Sequence, residues 1–209
     1  MSFDLLLEVY AESAVNLKQV ICYPGRFQPF HVGHASVYRY LANNHHTADV
    51  FVVTTDKVDP PRSPFNFDEK RTLMNAAGIP AAAVVQVKNP YAALEVIDNY
   101  NKENLELIFA ISEKDMADNP RFGFKPKKDG SPSYLQPYKP GESKPASEHA
   151  YIITIPTLDF SILGGDVRSA SQIRALYADG DEKLRKQIVT ELYGGFKQEI
   201  YDLFNEKLV

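Results

Sequence analysis

Gly25-Arg26-Phe27-Gln28-Pro29-Phe30-His31-Val32-Gly33-His34 is the stretch from which the architecture of this chain can be read. It follows the apolar run 20–23, which is typical of a buried strand, and precedes a segment with the apolar spacing of a helix. Backbone N–H groups at the start of a helix are unpaired and the helix dipole is positive there, so the turn favours an anion. The stretch therefore predicts a phosphate site between a strand and a helix.

Two histidines in this stretch are candidates for contacts to that anion. His31 and His34 are three residues apart, so they share one face of the first helical turn. Each neutral imidazole can donate one hydrogen bond, and a protonated one adds positive charge. Gly33 between them has no side chain and leaves the backbone open to close approach. The alternative is a pair of surface histidines flanking a turn glycine.

A second motif, Ser169-Ala170-Ser171-Gln172-Ile173-Arg174, begins another helix-like segment. Its two hydroxyls can cap the helix and, with the free N–H groups, hold phosphate oxygens. The planar guanidinium of Arg174 can reach the same anion. Taken alone the hexapeptide is more simply a capped helix, because serine caps begin many helices. Its pairing with the histidine motif is what makes a second phosphate contact a serious hypothesis.

Together the two motifs resemble the His-x-Gly-His and Ser-x-Thr-x-x-Arg signatures of the nucleotidyltransferase superfamily, with Ser171 where many members have threonine. The longer string over 25–34 is most similar to nicotinamide-mononucleotide adenylyltransferases of the archaeal type. The resemblance implies transfer of AMP from ATP to a phosphorylated acceptor, with nicotinamide mononucleotide giving NAD, and release of pyrophosphate. It also implies Mg²⁺, held mainly by the nucleotide phosphates.

The resemblance further implies roles for individual residues. The catalytic residues would be His31, His34 and Arg174. The nucleotide-binding residues would be Gly25, Arg26, Phe27, Gly33, Ser169, Ser171 and Ile173. Candidate contacts to the acceptor or its base are Lys57, Phe65, Asp115 and Arg121. Arg26 is equally consistent with a structural ion pair, and Lys57 with a solvated loop lysine.

Some features depart from the archaeal-type pattern. The chain has no tryptophan, on which those enzymes often stack the nicotinamide ring, although Phe65, Tyr91 or Tyr134 offers an aromatic face. Two alternatives therefore stay open. One is an adenylyl- or cytidylyltransferase for another acceptor, such as a pantetheine, flavin or alcohol phosphate. The other is a module that senses a nucleotide without turnover.

Composition narrows the class of protein. With 209 residues, 44% apolar and 24% charged, the chain is typical of one globular α/β domain with short additions. The net charge of −4 argues against general nucleic-acid binding, and no apolar run approaches the roughly 20 residues that span a bilayer. The N-terminus lacks the basic start of a signal peptide, so we expect a cytoplasmic protein. The single cysteine, Cys22, excludes an internal disulfide and is expected in the core.

Short apolar runs alternate with segments of helix length, the pattern of a Rossmann-like, doubly wound parallel α/β sheet. Five strands are predicted, at 19–24, 49–55, 82–87, 105–111 and 151–155. Helices are predicted at 32–44, 68–77, 90–100, 169–178, 182–193 and 197–207, the last two on the edge of the sheet. An amphipathic helix over 3–17 makes 1–18 an N-terminal extension, 19–178 the nucleotidyltransferase α/β domain and 179–209 a C-terminal helical segment. The terminal helices are also candidate contacts in a homo-oligomer.

One long stretch interrupts this pattern. Between 112 and 149 the periodicity stops, and 120–148 is rich in proline and lysine. From 121 to 144 it carries six basic residues against two acidic ones, in a chain that is acidic as a whole. The loop is expected either to close over a triphosphate as a lid or to lie in solvent.

Overall fold

A six-stranded parallel sheet forms the centre of the computed structural model, which describes residues 17–118, 123–156, 161–165, 167 and 169–209. Its strands are β1 (Lys18–Pro24), β2 (Asp49–Thr54), β3 (Val84–Gln86), β4 (Leu105–Ser112), β5 (Leu135–Pro137) and β6 (Ala150–Ile155). They lie in the order β3-β2-β1-β4-β6-β5, and all neighbours run parallel. The strand order reverses direction between β1 and β4, and ligands of open α/β sheets bind at such a switch point.

Seven α-helices in the described residues connect or cover these strands. They are α1 (Val32–Asn44), α2 (Phe67–Ala76), α3 (Leu94–Ile97), α4 (Glu113–Asp118), α5 (Ala170–Asp179), α6 (Glu182–Tyr193) and α7 (Gln198–Leu208). Short 3₁₀ turns at Ala81–Ala83 and Lys102–Asn104 precede β3 and β4. The Rossmann-like α/β class predicted from the sequence is confirmed.

The prediction of five strands was wrong, because β5 arises inside the proline-rich loop. Leu135 pairs with Ala150 and Pro137 with Ile152, and Tyr138 donates its N–H to the Ile152 carbonyl at 2.9 Å. Proline has no N–H to give to a further strand and is tolerated at a sheet edge, where β5 lies. A strand of three residues that contains proline leaves almost no periodic signal in the sequence.

The expected lid is not formed by the described part of the same loop. Ala146 donates its N–H to the Leu105 carbonyl at 2.7 Å, and Tyr134 donates its hydroxyl to the Ala146 carbonyl at 2.7 Å. Tyr134 and Ala146 therefore lie at the amino ends of β4 and β6. The carboxyl ends of the strands, where parallel sheets bind ligands, are at the opposite end of the sheet.

The helix predicted over 90–100 is reduced to the single turn of α3. Ala93 has a positive φ of 46°, and its N–H closes a turn onto the Asn89 carbonyl at 2.8 Å. A left-handed residue cannot continue a helix, so regular helix begins only after Ala93. Asn99 then donates its side-chain N–H to the Glu95 carbonyl at 2.9 Å, competing with the backbone at the helix end.

The C-terminal helices belong to the apolar core that covers one face of the sheet. Phe204 of α7 is fully buried, with its ring 5.6 Å from that of Phe65 and 5.2 Å from that of Tyr177. Tyr193, at the end of α6, donates its hydroxyl to the Phe30 carbonyl at 2.7 Å. This bond ties the end of the chain to the histidine turn near its start.

The opposite face of the sheet holds Cys22, which is buried as predicted. Burial raises the pKa of its thiol to about 12, so the thiol is protonated at neutral pH and inert as a nucleophile. The helix predicted over 3–17 falls almost wholly outside the described residues. Within the described ranges, no helix has the length and apolar character to cross a bilayer.

Candidate active site

A cavity of about 820 Å³ opens at the carboxyl ends of the strands. Its walls come from the turn after β1, the start of α4 after β4, and the segment after β6 that leads into α5. Arg62, from the loop after β2, and Tyr91, from the loop after β3, also line it. Its volume lies in the range of small-ligand sites, about 300–1,000 Å³.

The turn after β1 is held by aromatic packing around Phe27. This residue has a positive φ of 51°, and its buried ring meets those of Tyr23, Phe30 and His34 at 5.1 to 5.3 Å. A Cβ on Gly25 would lie 2.5 Å from the Phe27 ring, so glycine is required at that position. This close packing places the residues that come after Phe27, including His31, at the cavity wall.

His31 is both the N-cap of α1 and a wall of the cavity. Its Nδ1 accepts the N–H of Gly33 at 3.1 Å, which leaves the proton of the neutral ring on Nε2. The ring of His34 lies beside it, with 3.9 Å between the centroids and 33° between the planes. Nδ1 of His34 is buried and has no hydrogen-bond partner within the described part of the chain. The two histidines share one face of the first turn, as their spacing predicts.

Both imidazoles are neutral at pH 7, because burial opposes their protonated form. Burial lowers the pKa of His34 to about 4, and burial together with the neighbouring His34 lowers the pKa of His31 well below its usual range. The sequence left open whether these rings carry a positive charge. In the structure both are neutral, so each can donate one hydrogen bond. The positive charge of the site comes from arginine and lysine side chains.

The histidine pair makes stability depend on pH in the mildly acidic range. In the unfolded chain His34 takes up a proton near pH 6.5, and in the folded chain it does so only near pH 4. The contribution of His34 to stability is therefore complete above about pH 6.5 and is lost as the pH falls toward 4. We expect the free energy of unfolding in urea to fall by about 1 kcal/mol through His34 between pH 7.5 and 5.5, and His31 to change it in the same direction. His34→Gln should weaken this dependence. Exposed His46→Gln is the control, and an unchanged slope in His34→Gln would contradict the expectation.

The second motif lies across the cavity from the histidines. Ser169 is the N-cap of α5, and its hydroxyl accepts the N–H of Gln172 at 3.3 Å. The hydroxyls of Ser169 and Ser171 are 3.0 Å apart, and both residues line the cavity. One helical turn on, Arg174 donates an N–H from Nη1 to the main-chain carbonyl of Gln28. The motifs predicted from the sequence therefore converge on one cavity.

Two guanidinium groups crowd this part of the site. Burial and the nearby charge of Arg26 lower the pKa of Arg174 below its usual value, although it stays protonated at neutral pH. Neither arginine forms an ion pair with any of the described residues. Neighbouring like charges without an acidic partner destabilise each other until an anion binds between them. The structural ion pair considered for Arg26 is therefore not formed within the described part of the chain.

The carboxyl end of β4 contributes a hydroxyl and a carboxylate. Ser112 donates its hydroxyl to Oδ2 of Asp115 at 2.9 Å, and its oxygen accepts the Asp115 N–H at 3.1 Å. Both residues line the cavity, as does Lys114 between them. Asp115, a candidate acceptor contact from the sequence, is thus placed at the site.

Three other sequence candidates are not placed there. Phe65 is fully buried against Phe204, so its ring has no free face for a ligand. Ile173 is also fully buried, and its side chain belongs to the apolar core beneath α5. Lys57 is exposed but does not line the cavity, which leaves the interpretation as a solvated loop lysine. Arg121 lies outside the described residues.

Several polar residues of the cavity wall carry no role in the sequence interpretation, among them Gln28 and Arg62. Gln28 lies within the first motif but is 4% exposed, and Arg62 follows two prolines in a segment with no periodic pattern. A cation just after a strand in an irregular loop is the only signal that points to Arg62. Gln28 offers none, because its partners are backbone groups of a distant segment.

Comparison with known proteins agrees with the motifs. Residues 22–125 match a family described as Cytidylyltransferase-like, which confirms the resemblance to nucleotidyltransferases. No curated protein matches the chain.

Among solved structures, a putative nicotinate-nucleotide adenylyltransferase from Vibrio parahaemolyticus is 17% identical, with a TM-score of 0.49 over 92% of this chain and 95% of that one. Nicotinic acid mononucleotide adenylyltransferase from Plasmodium falciparum is 13% identical over 90% of this chain and 95% of that one. Its TM-score is 0.49 in complex with NaAD and 0.47 in complex with APC.

Proposed function

We propose that this nucleotidyltransferase-like chain transfers AMP from ATP to a phosphorylated acceptor, with nicotinamide mononucleotide as the leading candidate, and releases pyrophosphate. One observation carries the proposal: His31 and His34 share one cavity with Ser169, Ser171 and Arg174, although about 140 residues separate the two motifs. Two helix N-termini, those of α1 and α5, border this cavity. Such termini bind phosphate through free N–H groups and the helix dipole.

The charge of the cavity fits a ligand with several negative charges. Four basic residues line it (Arg26, Arg62, Lys114 and Arg174), and Asp115 is the one acidic residue among the described lining residues. A triphosphate and an acceptor phosphate together would neutralise this excess. A neutral ligand would leave these charges uncompensated.

The proposed chemistry needs no nucleophile from the protein. A phosphate oxygen of the acceptor attacks the α-phosphorus, a new phosphorus–oxygen bond forms, and the bond to the β-phosphate oxygen breaks to release pyrophosphate. The neutral histidines would donate hydrogen bonds to the oxygens of the transferred phosphoryl group, where negative charge increases. Arg174 and the α5 N-terminus would hold the β and γ phosphates, so catalysis comes from positioning and charge stabilisation.

Mg²⁺ is proposed to enter with the triphosphate, whose charge it would neutralise. Among the described residues, no group of three or more His, Cys, Asp or Glu side chains is arranged to hold a metal ion. Mg²⁺ is commonly bound through substrate phosphates and water with only one or two carboxylates. In this cavity that carboxylate would be Asp115.

The acceptor is proposed to occupy the side of the cavity that is formed by the loops after β2 and β3. The phosphates of ATP take the α5 side, which leaves the region of Arg62 and Tyr91. Since Phe65 is buried, Tyr91 is the remaining lining residue of the aromatic candidates that could stack on a flat ring. An acceptor with an anionic group and an aromatic ring, such as nicotinamide mononucleotide, suits these side chains.

The test is pyrophosphate release with Mg²⁺ and either ATP or CTP, in the presence of one acceptor at a time. Nicotinamide mononucleotide, nicotinic acid mononucleotide, phosphopantetheine, flavin mononucleotide and glycerol phosphate form the panel. We expect release that requires ATP and a pyridine mononucleotide, with the dinucleotide detected by mass spectrometry. Turnover only with CTP or a non-aromatic acceptor would overturn the assignment of substrate, and no turnover with any pair would overturn the proposed reaction.

A further inference from the structure

Gln28 joins two walls of the cavity through its side chain. Its Nε2 donates to the Phe65 carbonyl at 2.8 Å, and its Oε1 accepts the Phe65 N–H at 2.9 Å. The amide thus pairs with the backbone of Phe65 as a neighbouring strand would. Both bonds are buried, so each unpaired group would cost about 1–3 kcal/mol if the amide were removed.

The segment to which the Gln28 side chain is hydrogen-bonded includes Arg62. Asp59 and Ser63 close the loop by exchanging two main-chain hydrogen bonds of 2.8 and 2.7 Å. Directly after Phe65, Asn66 caps α2 in a reciprocal capping box with Glu69. The loop is therefore closed on itself, anchored to a helix on one side and held by Gln28 at Phe65. Its exposed Arg62 forms the rim of the cavity.

Arg62 itself makes no hydrogen bond or ion pair within the part of the chain that the structure describes. Its position is set by the backbone of the loop and not by a partner of its guanidinium. A cation held at a cavity rim without a protein partner is available to a ligand anion.

The main-chain carbonyl of Gln28 contacts the other side of the site. Its carbonyl accepts the N–H from Nη1 of Arg174. The side chain of Gln28 thus bonds to the loop that carries Arg62, and its backbone carbonyl bonds to Arg174 of α5. Substitution of the side chain removes the first link and keeps the second.

We infer that Gln28 is a positioning residue for the acceptor: its buried amide fixes the 59–65 loop against the histidine turn and so holds Arg62 over the acceptor side of the cavity. The inference rests on the proposed function, which supplies the acceptor. It goes further by naming Arg62 as the group that binds an anionic part of the acceptor and Gln28 as the residue that places it.

The expected effect is selective for one substrate. Gln28→Met has similar length and no hydrogen-bonding group, so it frees the loop while the carbonyl that holds Arg174 remains. We expect KM for the acceptor to rise about tenfold or more, the loss of a charge-assisted contact, while KM for ATP changes less than about threefold. A general distortion of the cavity would raise both KM values together, and loss of folded protein would lower the apparent kcat with both KM values unchanged.

A double-mutant cycle tests whether Gln28 acts through Arg62. Gln28→Met, Arg62→Ala and the double variant are compared in acceptor KM, with exposed Arg71→Ala on α2 as the matched arginine control. We expect the double variant to resemble Arg62→Ala alone, because the two changes remove the same contact. Additive effects, or an Arg62→Ala variant with unchanged acceptor KM, would overturn the inference. Arg62 is exposed, so the second outcome can be read even if Gln28→Met does not fold.

Hydrogen exchange separates this inference from the proposed function. In the absence of any substrate, amides of residues 59–66 should exchange faster in Gln28→Met than in the unmodified chain, while those of 170–179 should not. Unchanged exchange would overturn the positioning role of Gln28. Faster exchange in a chain that shows no turnover with any acceptor would keep the link to the loop and reject the enzyme assignment.

Discussion

Alanine in place of His34 is expected to lower kcat for pyrophosphate release by about 10²- to 10³-fold, the effect of removing one preorganised donor to a developing oxyanion. The half-buried imidazole lies in the cavity wall beside that of His31, with 3.9 Å between the ring centroids, so alanine removes a donor from the site. ATP affinity should change less than about threefold, because the triphosphate is bound mainly by α5 and the arginines. Steady-state rates and calorimetric titration with ATP in the absence of acceptor measure the two effects separately.

His46→Ala is the matched control for His34→Ala, since His46 is exposed and lies outside the cavity. His34→Asn, which keeps a donor, should recover part of the rate. A variant at His34 that loses ATP affinity in proportion to its rate would show that the histidine only binds the nucleotide. That result would favour the nucleotide-sensing module considered from the sequence.

Arg174→Ala is expected to lower kcat/KM for ATP by about 10³-fold, mostly through weaker binding of the triphosphate. The guanidinium is half-buried beside Arg26 and is oriented by the Gln28 carbonyl. Its loss therefore removes both a positive charge and a fixed pair of hydrogen-bond donors. Arg174→Lys keeps the charge without the planar fork and should recover only part of the loss. The measurement is the dependence of pyrophosphate release on ATP concentration at saturating acceptor.

Arg71→Ala serves as the control for charge alone, because Arg71 is exposed on α2 and pairs with Asp68 at 2.8 Å. The free energy of unfolding should be nearly the same for Arg174→Ala and the unmodified chain, or higher in the variant, since removal of Arg174 relieves repulsion from Arg26. A large loss of stability in Arg174→Ala would instead mean that its bond to Gln28 supports the fold.

The histidine and serine motifs could be placed from the sequence because each depends on local geometry. Spacing of three residues puts His31 and His34 on one helical face, and serine before a helix caps it. The protonation state of the histidines could not be predicted in the same way. It depends on burial by Phe27 and Phe30, which only packing brings around the rings.

The acceptor side was the least predictable part of the site. Phe65 was an aromatic candidate, yet its ring is the partner of Phe204, which lies 139 residues further along the chain. Conversely, Arg62 stands in an irregular segment and lines the cavity, and Gln28 pairs with the backbone of that segment at Phe65. Such contacts join residues that no local pattern relates.

By itself the sequence determined the parallel α/β class, the histidine and serine motifs at two helix starts and the buried state of Cys22, because apolar runs, helix caps and turn residues act over a few neighbouring positions. Only the tertiary structure decided that the two motifs share a cavity, that the proline-rich loop adds a sixth strand, and which aromatic and basic side chains line the cavity. These outcomes depend on the order of the strands and on burial, and both arise from contacts between residues far apart in the chain.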